Sequence, residues 1–164
     1  TACTCAGCSD EFGRKRGIRM ELWVKKLHPG ARLPVRATAG SAGYDLFADV
    51  KEPLPLPRGG QVTVPTGIAI QLPGPGYAAF VFGRSGLGVR HGVSPSNGVG
   101  VIDSDYRGEI RVGLMNHGPA DYVIQPGDRI AQLVVLPVAL PQLVEAASLE
   151  DTARGEGGFG STDR

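Results

Sequence analysis

The chain has 164 residues and a mass of 17.1 kDa, the size of one globular domain. Gly 25 and Pro 13 fill nearly a quarter of it, about twice average usage, which excludes a helical bundle because both break helix interiors. Apolar residues at 41% suffice for a core, and 17 Lys+Arg against 16 Asp+Glu leave a net charge of +1, so nothing in the charge balance advertises nucleic acid.

The three cysteines, Cys3, Cys5 and Cys8, all lie in the first eight residues, TACTCAGC, a run that uses only the letters A, C, G and T. Residues 1–19 read as an N-terminal extension, a tag remnant or an artefact, with Met20 as the natural start. Without cysteines in the body, a cytoplasmic, reducing location is expected. The most apolar stretch, Ile130–Pro141, is broken by Gln132 and Pro137 and is too short to span a membrane.

Residues 21–27 read as a first strand and Tyr44–Val50 as a second, followed by Pro53–Pro57 as an extended connector. Further strand-like runs are Gln61–Val64, Ile68–Leu72, Tyr77–Phe82, Glu109–Asn116, Tyr122–Ile124 and Ile130–Val138. Pro65-Thr66-Gly67, the Pro73–Gly76 run, Gly118-Pro119 and Pro126-Gly127-Asp128 punctuate them as turns. Only Gly86–His91 suits a helix, and a short one. This pattern predicts an all-β sandwich, jelly roll or barrel over residues 20–149. Residues 150–164 change character: 154–164 contain four glycines and one aromatic and cannot pack alone.

The histidines, His28, His91 and His117, lack metal-ligand spacing and read as surface residues. Gly83-Arg84-Ser85-Gly86-Leu87 is not a nucleophile elbow, because Leu87 stands where glycine is needed. Arg84, Ser85 and Gly86 fit either an ordinary turn or a phosphate cradle of guanidinium, hydroxyl and bare backbone N–H. Asp103-Ser104-Asp105-Tyr106-Arg107-Gly108 fits either a solvated turn or a general base with a flat packing surface. Gln132 is a polar residue in an apolar strand, and strand alternation alone accounts for it.

Taken together, five motifs resemble the trimeric dUTP pyrophosphatase (dUTPase) family, in family order, over residues 20–164. They are Ala42–Ala48, Gly83–Leu87, Asn97–Ile110, Pro126–Leu133 and Arg154–Thr162. The resemblance implies a distorted jelly-roll or barrel-like dUTPase fold with at most one short helix, and a mobile glycine-rich C-terminal arm. It implies Mg2+-dependent hydrolysis of dUTP to dUMP and pyrophosphate, limiting uracil incorporation into DNA and supplying dUMP for thymidylate synthesis. It further implies a homotrimer in which the arm of one chain closes over a neighbour's site and each site draws on all three chains.

Residue by residue, the resemblance makes Asp103 the general base for the attacking water. Arg84, Ser85 and Gly86 become the phosphate-binding motif, and Gln132 a further phosphate contact. Asn97, Gly100, Val101 and Ile102 belong to the loop that recognises uracil through backbone groups, and Tyr106 packs under the deoxyribose and excludes a 2′-hydroxyl. Arg111 touches the nucleotide. Arg154, Phe159, Gly160, Ser161 and Thr162 form the arm that closes over base and phosphates, and Asp45 is a structural carboxylate in the metal's vicinity. Three phosphates carry about four negative charges near pH 7, which explains the donors and the cation. The chain departs from the family where Asp163 and Arg164 follow Thr162 instead of glycine, and where Gly83 replaces proline or alanine. Two rivals remain: a dCTP deaminase of the same superfamily, which needs a glutamate not found beside Arg84-Ser85, and a non-catalytic nucleotide-binding module.

Overall fold

The computed structural model describes residues 20–158. The first strands are β1 (Trp23–Lys26), β2 (Tyr44–Phe47), β3 (Leu54–Leu56), β4 (Gln61–Pro65), β5 (Ile68–Gln71) and β6 (Tyr77–Phe82). A single described helix, α1 (Ser85–His91), precedes β7 (Val93–Pro95), β8 (Gly100–Ile102), β9 (Arg111–Asn116), β10 (Tyr122–Ile124) and β11 (Arg129–Pro137). The expected all-β class with one short helix therefore holds.

The strands form four antiparallel sheets, ordered β2-β11-β6-β8, β4-β9-β7, β1-β5 and β10-β3. Strand alternation builds the core. In β9, Val112, Leu114 and Asn116 point inward while Arg111 faces solvent. Leu46, Leu56, Ile68, Leu114, Ile124, Ile130 and Leu133 are completely buried, each side chain worth about 1.5–3 kcal/mol of burial.

The central strand, β11, carries a bulge between Arg129 and Ala131. The extra residue lets Ile130 and Ala131 both enter the core and turns Arg129 outward toward β2.

Several predicted boundaries are corrected. Pro53–Pro57 is not a bare connector: Leu54–Leu56 pairs with Tyr122–Ile124, and Pro55 is tolerated because a two-stranded sheet has only edges. β2 stops at Phe47, since the Ala48 N–H donates to Asp128 O (2.8 Å) and the Asp49 N–H to Pro65 O (2.8 Å) instead of continuing a ladder. β9 starts at Arg111, two residues after the predicted Glu109, because the Ile110 N–H donates to Ile68 O at 2.9 Å. β7 and β8 were not anticipated, and α1 begins one residue earlier, at Ser85. Past Pro137 the described chain has no strand or helix, and Leu143 and Leu149 are 96% and 87% exposed.

Candidate active site

β8 lies on the edge of the large sheet, opposite Ala79, Phe80 and Val81 of β6. Alternation buries Ile102 and leaves Val101 60% exposed. A Cβ on Gly100 would press on Val81 Cβ at 3.2 Å, so a side chain there would push Val81 aside. Gly98 completes the preceding turn at φ 72°, in the left-handed region that favours glycine. Beside this edge, β9 starts with Arg111, Val112 and Gly113. Between them opens a cleft of about 280 Å³ that includes Asn97, Gly100, Val101, Ile102, Asp103, Tyr106 and Arg111 in its lining. Seven of the residues singled out from the sequence thus meet in one place.

The loop that carries Asp103 and Tyr106 is braced from within. The Tyr106 N–H donates to Asp103 O at 3.2 Å. Arg107 Nη1 donates to Ser104 O at 2.8 Å and to Tyr106 O at 2.9 Å. The Tyr106 hydroxyl donates to Glu109 O at 3.0 Å. Asp103 is exposed at the end of β8, where its carboxylate can meet water.

A second cluster stands apart from the cleft lining. Asp45 is buried, and both its oxygens are taken by guanidinium groups: Arg84 Nε donates to Oδ1 at 2.9 Å and Arg129 Nη1 to Oδ2 at 3.2 Å. Arg84 Nη1 also donates to Arg129 O at 3.2 Å, which aims the residue just before α1. Ser85 and Gly86 open α1 and are exposed, with open space around a Cβ built on Gly86. Gln132 lies on β11 between Asp45 of β2 and Phe82 of β6. Arg154 is in a separate turn, its Nε donating to Gly157 O at 2.8 Å. Phe159, Gly160, Ser161 and Thr162 lie outside the described residues, as do 1–19.

The described residues thus form two groups, the second of which lies outside the cleft lining. The first is a cleft with a carboxylate, a tyrosine ring and bare backbone. The second is an arginine-rich cluster with hydroxyl and glycine donors at a helix start. No group of three or more His, Cys, Asp or Glu able to hold a metal occurs among the described residues. Hydroxyl, guanidinium and backbone N–H donors of the second group suit phosphate oxygens, which are themselves ligands for a hard cation. Each Asp45 oxygen has a second lone pair, so a contact through water is compatible with its arginine bonds. The three histidines are exposed, as expected; His28 pairs with Asp49 at 2.5 Å and His91 packs against Tyr122. Burial and the nearby Asp128 raise the pKa of Tyr122 above the usual 10.0.

Two residues of these groups escaped sequence reasoning. Glu109 lines the cleft and accepts the Gly67 N–H at 2.9 Å, 42 residues away. Arg129 holds Asp45 across 84 residues. Both sit inside quoted motifs, but their partners are visible only in the fold.

The dimensions and lining of the cleft suit a planar base with its sugar, and the cationic cluster suits phosphate: the outline of a nucleotide-processing domain. The dUTPase family profile matches residues 30–163. The deoxyuridine 5′-triphosphate nucleotidohydrolase of Desulfitobacterium hafniense (strain DSM 10664 / DCB-2) is 48% identical over 145 residues, 88% of this chain and 96% of that one. That of Burkholderia cenocepacia (strain J2315) is 49% identical over 147 residues, 88% and 99% of the two chains. The Staphylococcus bacteriophage 80alpha dUTPase with dUpNHpp superposes with a TM-score of 0.77 at 27% identity, covering 87% of this chain and 98% of that one. A dUTPase variant from phage phi11 of S. aureus, which reveals the coordination of a structural Mg(II) ion, gives 0.71 at 25% identity, with coverage of 80% and 99%. The chain belongs to the dUTPase family, the dUTP diphosphatases.

Proposed function

We propose that this chain hydrolyses dUTP to dUMP and pyrophosphate, with water attacking the α-phosphorus. The observation that carries the reading is the convergence of Asn97, Gly100–Ile102, Asp103 and Tyr106 on one cleft in a member of this family. Uracil enters against the bare backbone of β8, where amide and carbonyl groups read its edge. The Tyr106 ring packs under the deoxyribose and leaves no room for a 2′-hydroxyl. Asp103, exposed beside the sugar, orients a water and accepts its proton as the bond to phosphorus forms. Arg84, Ser85, Gly86 and Gln132 bind phosphate oxygens, with Arg111 close to the nucleotide. The substrate phosphates, with Asp45 nearby, would hold Mg2+, which would supply neutralisation of charge developing on their oxygens.

Membership of the family supports a homotrimer, in which the cleft of one chain faces the arginine cluster of another. The arm, with Arg154 in its turn and Phe159, Gly160, Ser161 and Thr162 beyond it, comes from a third. Its closure excludes water and completes the donor set. Among the described residues no helix is long and apolar enough to cross a membrane. In this reading the chain acts in the cytoplasm, for which a cysteine-free body is suited, and the product dUMP feeds thymidylate synthesis while dUTP is kept from DNA.

Pyrophosphate release from dUTP by the full chain with Mg2+ tests this reading. Asp103→Asn is expected to keep affinity for a non-hydrolysable dUTP analogue while kcat falls by about a hundredfold or more. Near-normal turnover in that variant, or ammonia release from dCTP in place of pyrophosphate from dUTP, would refute it.

A further inference from the structure

Glu109 has no role in the reaction outlined above, yet it joins Tyr106 and Arg111 of the cleft to a turn outside the cleft lining. One carboxylate oxygen accepts the Gly67 N–H at 2.9 Å, and the other faces Arg111 Nε at 3.4 Å. Its backbone carbonyl accepts the Tyr106 hydroxyl. Gly67 belongs to a turn that is anchored on several sides. The Leu27 N–H donates to Gly67 O at 2.8 Å, the Asp49 N–H to Pro65 O at 2.8 Å, and the buried Thr66 hydroxyl to Ile110 O at 2.6 Å. Gly67 itself has φ 67°, and a side chain there would collide with Asp49 and Ala31, so this turn has little freedom.

We propose that Glu109 is a positioning residue that sets the Tyr106 ring against the sugar and so governs discrimination between deoxyribonucleotide and ribonucleotide. The inference rests on the sugar-packing role given to Tyr106 above. Excluding one hydroxyl by contact works only when the excluding ring cannot retreat, because a shift of about an ångström already admits an extra oxygen. Tyr106 is 46% exposed on a turn, so burial does not hold it. On one side the ring lies across Gly108, where any Cβ would collide with the phenol. Its hydroxyl end is held by the Glu109 carbonyl. The bonds of Arg107 brace the loop only against itself. The Glu109 carboxylate ties the residue that carries this carbonyl to the anchored turn of β4 and β5.

The test compares kcat/KM for dUTP and UTP across variants of the full-length protein with Mg2+, and measures amide hydrogen exchange at Gly67. In Glu109→Ala the ratio of dUTP to UTP is expected to fall by about tenfold, with faster exchange at Gly67. Glu109→Gln keeps an oxygen for the Gly67 N–H, so ratio and exchange should stay within about twofold of the parent. Tyr106→Phe, which loses only the hydroxyl's bond, should lower the ratio as Glu109→Ala does, and the double variant no further. Should Glu109→Ala not fold, Glu109→Gln and Tyr106→Phe carry the same comparison. Equal loss on both substrates with an unchanged ratio, or unchanged exchange at Gly67 in Glu109→Ala, overturns the proposal. A parent enzyme that hydrolyses dUTP without preferring it overturns the role of Tyr106 and this inference with it. A parent that hydrolyses neither nucleotide overturns the activity, and a slow Gly67 exchange alone then would not rescue the assignment.

Discussion

Asn116, at the inner end of β9, is completely buried and uses its amide as a three-way connector. Its Nδ2 donates to Leu56 O at 3.0 Å and to Ala120 O at 2.9 Å, and its Oδ1 accepts the Gly118 N–H at 2.9 Å. An amide is the group that donates twice and accepts once at this size. Asn116→Asp is nearly isosteric but turns a carboxylate toward two carbonyl oxygens. We expect a loss of about 3 kcal/mol or more at neutral pH, measured by denaturant unfolding. The introduced acid is favoured in its protonated form, so its folded pKa lies above its unfolded value. Stability should therefore return as pH falls and be lost as pH rises through that folded pKa. A variant equally stable at pH 5 and pH 8 would contradict this account. Asp45 shows the opposite case: a buried charge is tolerated because two guanidinium groups meet it, one of which belongs to the proposed phosphate motif.

Among the elements, α1 is the most dependent on its ends. It has seven residues and no buried one, well under the length at which helices persist by themselves. Its stop is Gly92, at φ 67°, whose N–H donates to Gly88 O at 3.0 Å. A Cβ there would strike the backbone of Gly118. Gly92→Ala combines left-handed strain with a backbone collision, and about 2 kcal/mol or more of destabilisation is expected. Because Arg84, Ser85 and Gly86 lie at the other end of this helix, KM for dUTP should rise in the same variant. A melting temperature and KM both equal to the parent's would separate α1 from the site.

For the whole molecule, the decisive feature is apolar surface left uncovered beyond β11. Leu140, Leu143, Val144 and Leu149 are all more than two-thirds exposed in the single chain, apolar area that a partner chain could cover. In a member of this family, the covering partner we propose is a second and third copy. Light scattering at micromolar concentration should give three times the chain's 17.1 kDa, and a monomeric mass would reject the trimer. Deleting residues 150–164 should cripple dUTP turnover while leaving the trimer and its melting temperature nearly unchanged. Ordering glycine-rich backbone costs about 1–2 kcal/mol per residue, so the arm is expected to engage chiefly when nucleotide supplies contacts. Full turnover by the truncated chain would make it a passive tail.

Local chemistry was readable without coordinates. Tyr77–Phe82 and Tyr122–Ile124 matched their strands to the residue, because β-rich runs between Gly and Pro turns follow from backbone sterics alone. The motif residues of the cleft were readable only through the resemblance to the dUTPase family, since the residues alone fitted a solvated turn as well; Asn97, Gly100–Asp103 and Tyr106 are close in sequence, so their meeting requires only a turn. β7 and β8 were not, since three-residue strands built from Val, Ser, Pro, Gly and Ile carry no periodicity and exist only because β9 and β6 lie alongside them. Pro53–Pro57 was read as a connector because proline rules describe one residue's torsions, whereas the open edge of β10 decided the pairing. The bond of Glu109 to Gly67 and that of Arg129 to Asp45 span 42 and 84 residues. A sequence determines which donors and acceptors are available. Which of them meet across such distances is decided by sheet order and by the bulge in β11, and those are set by packing of the whole core.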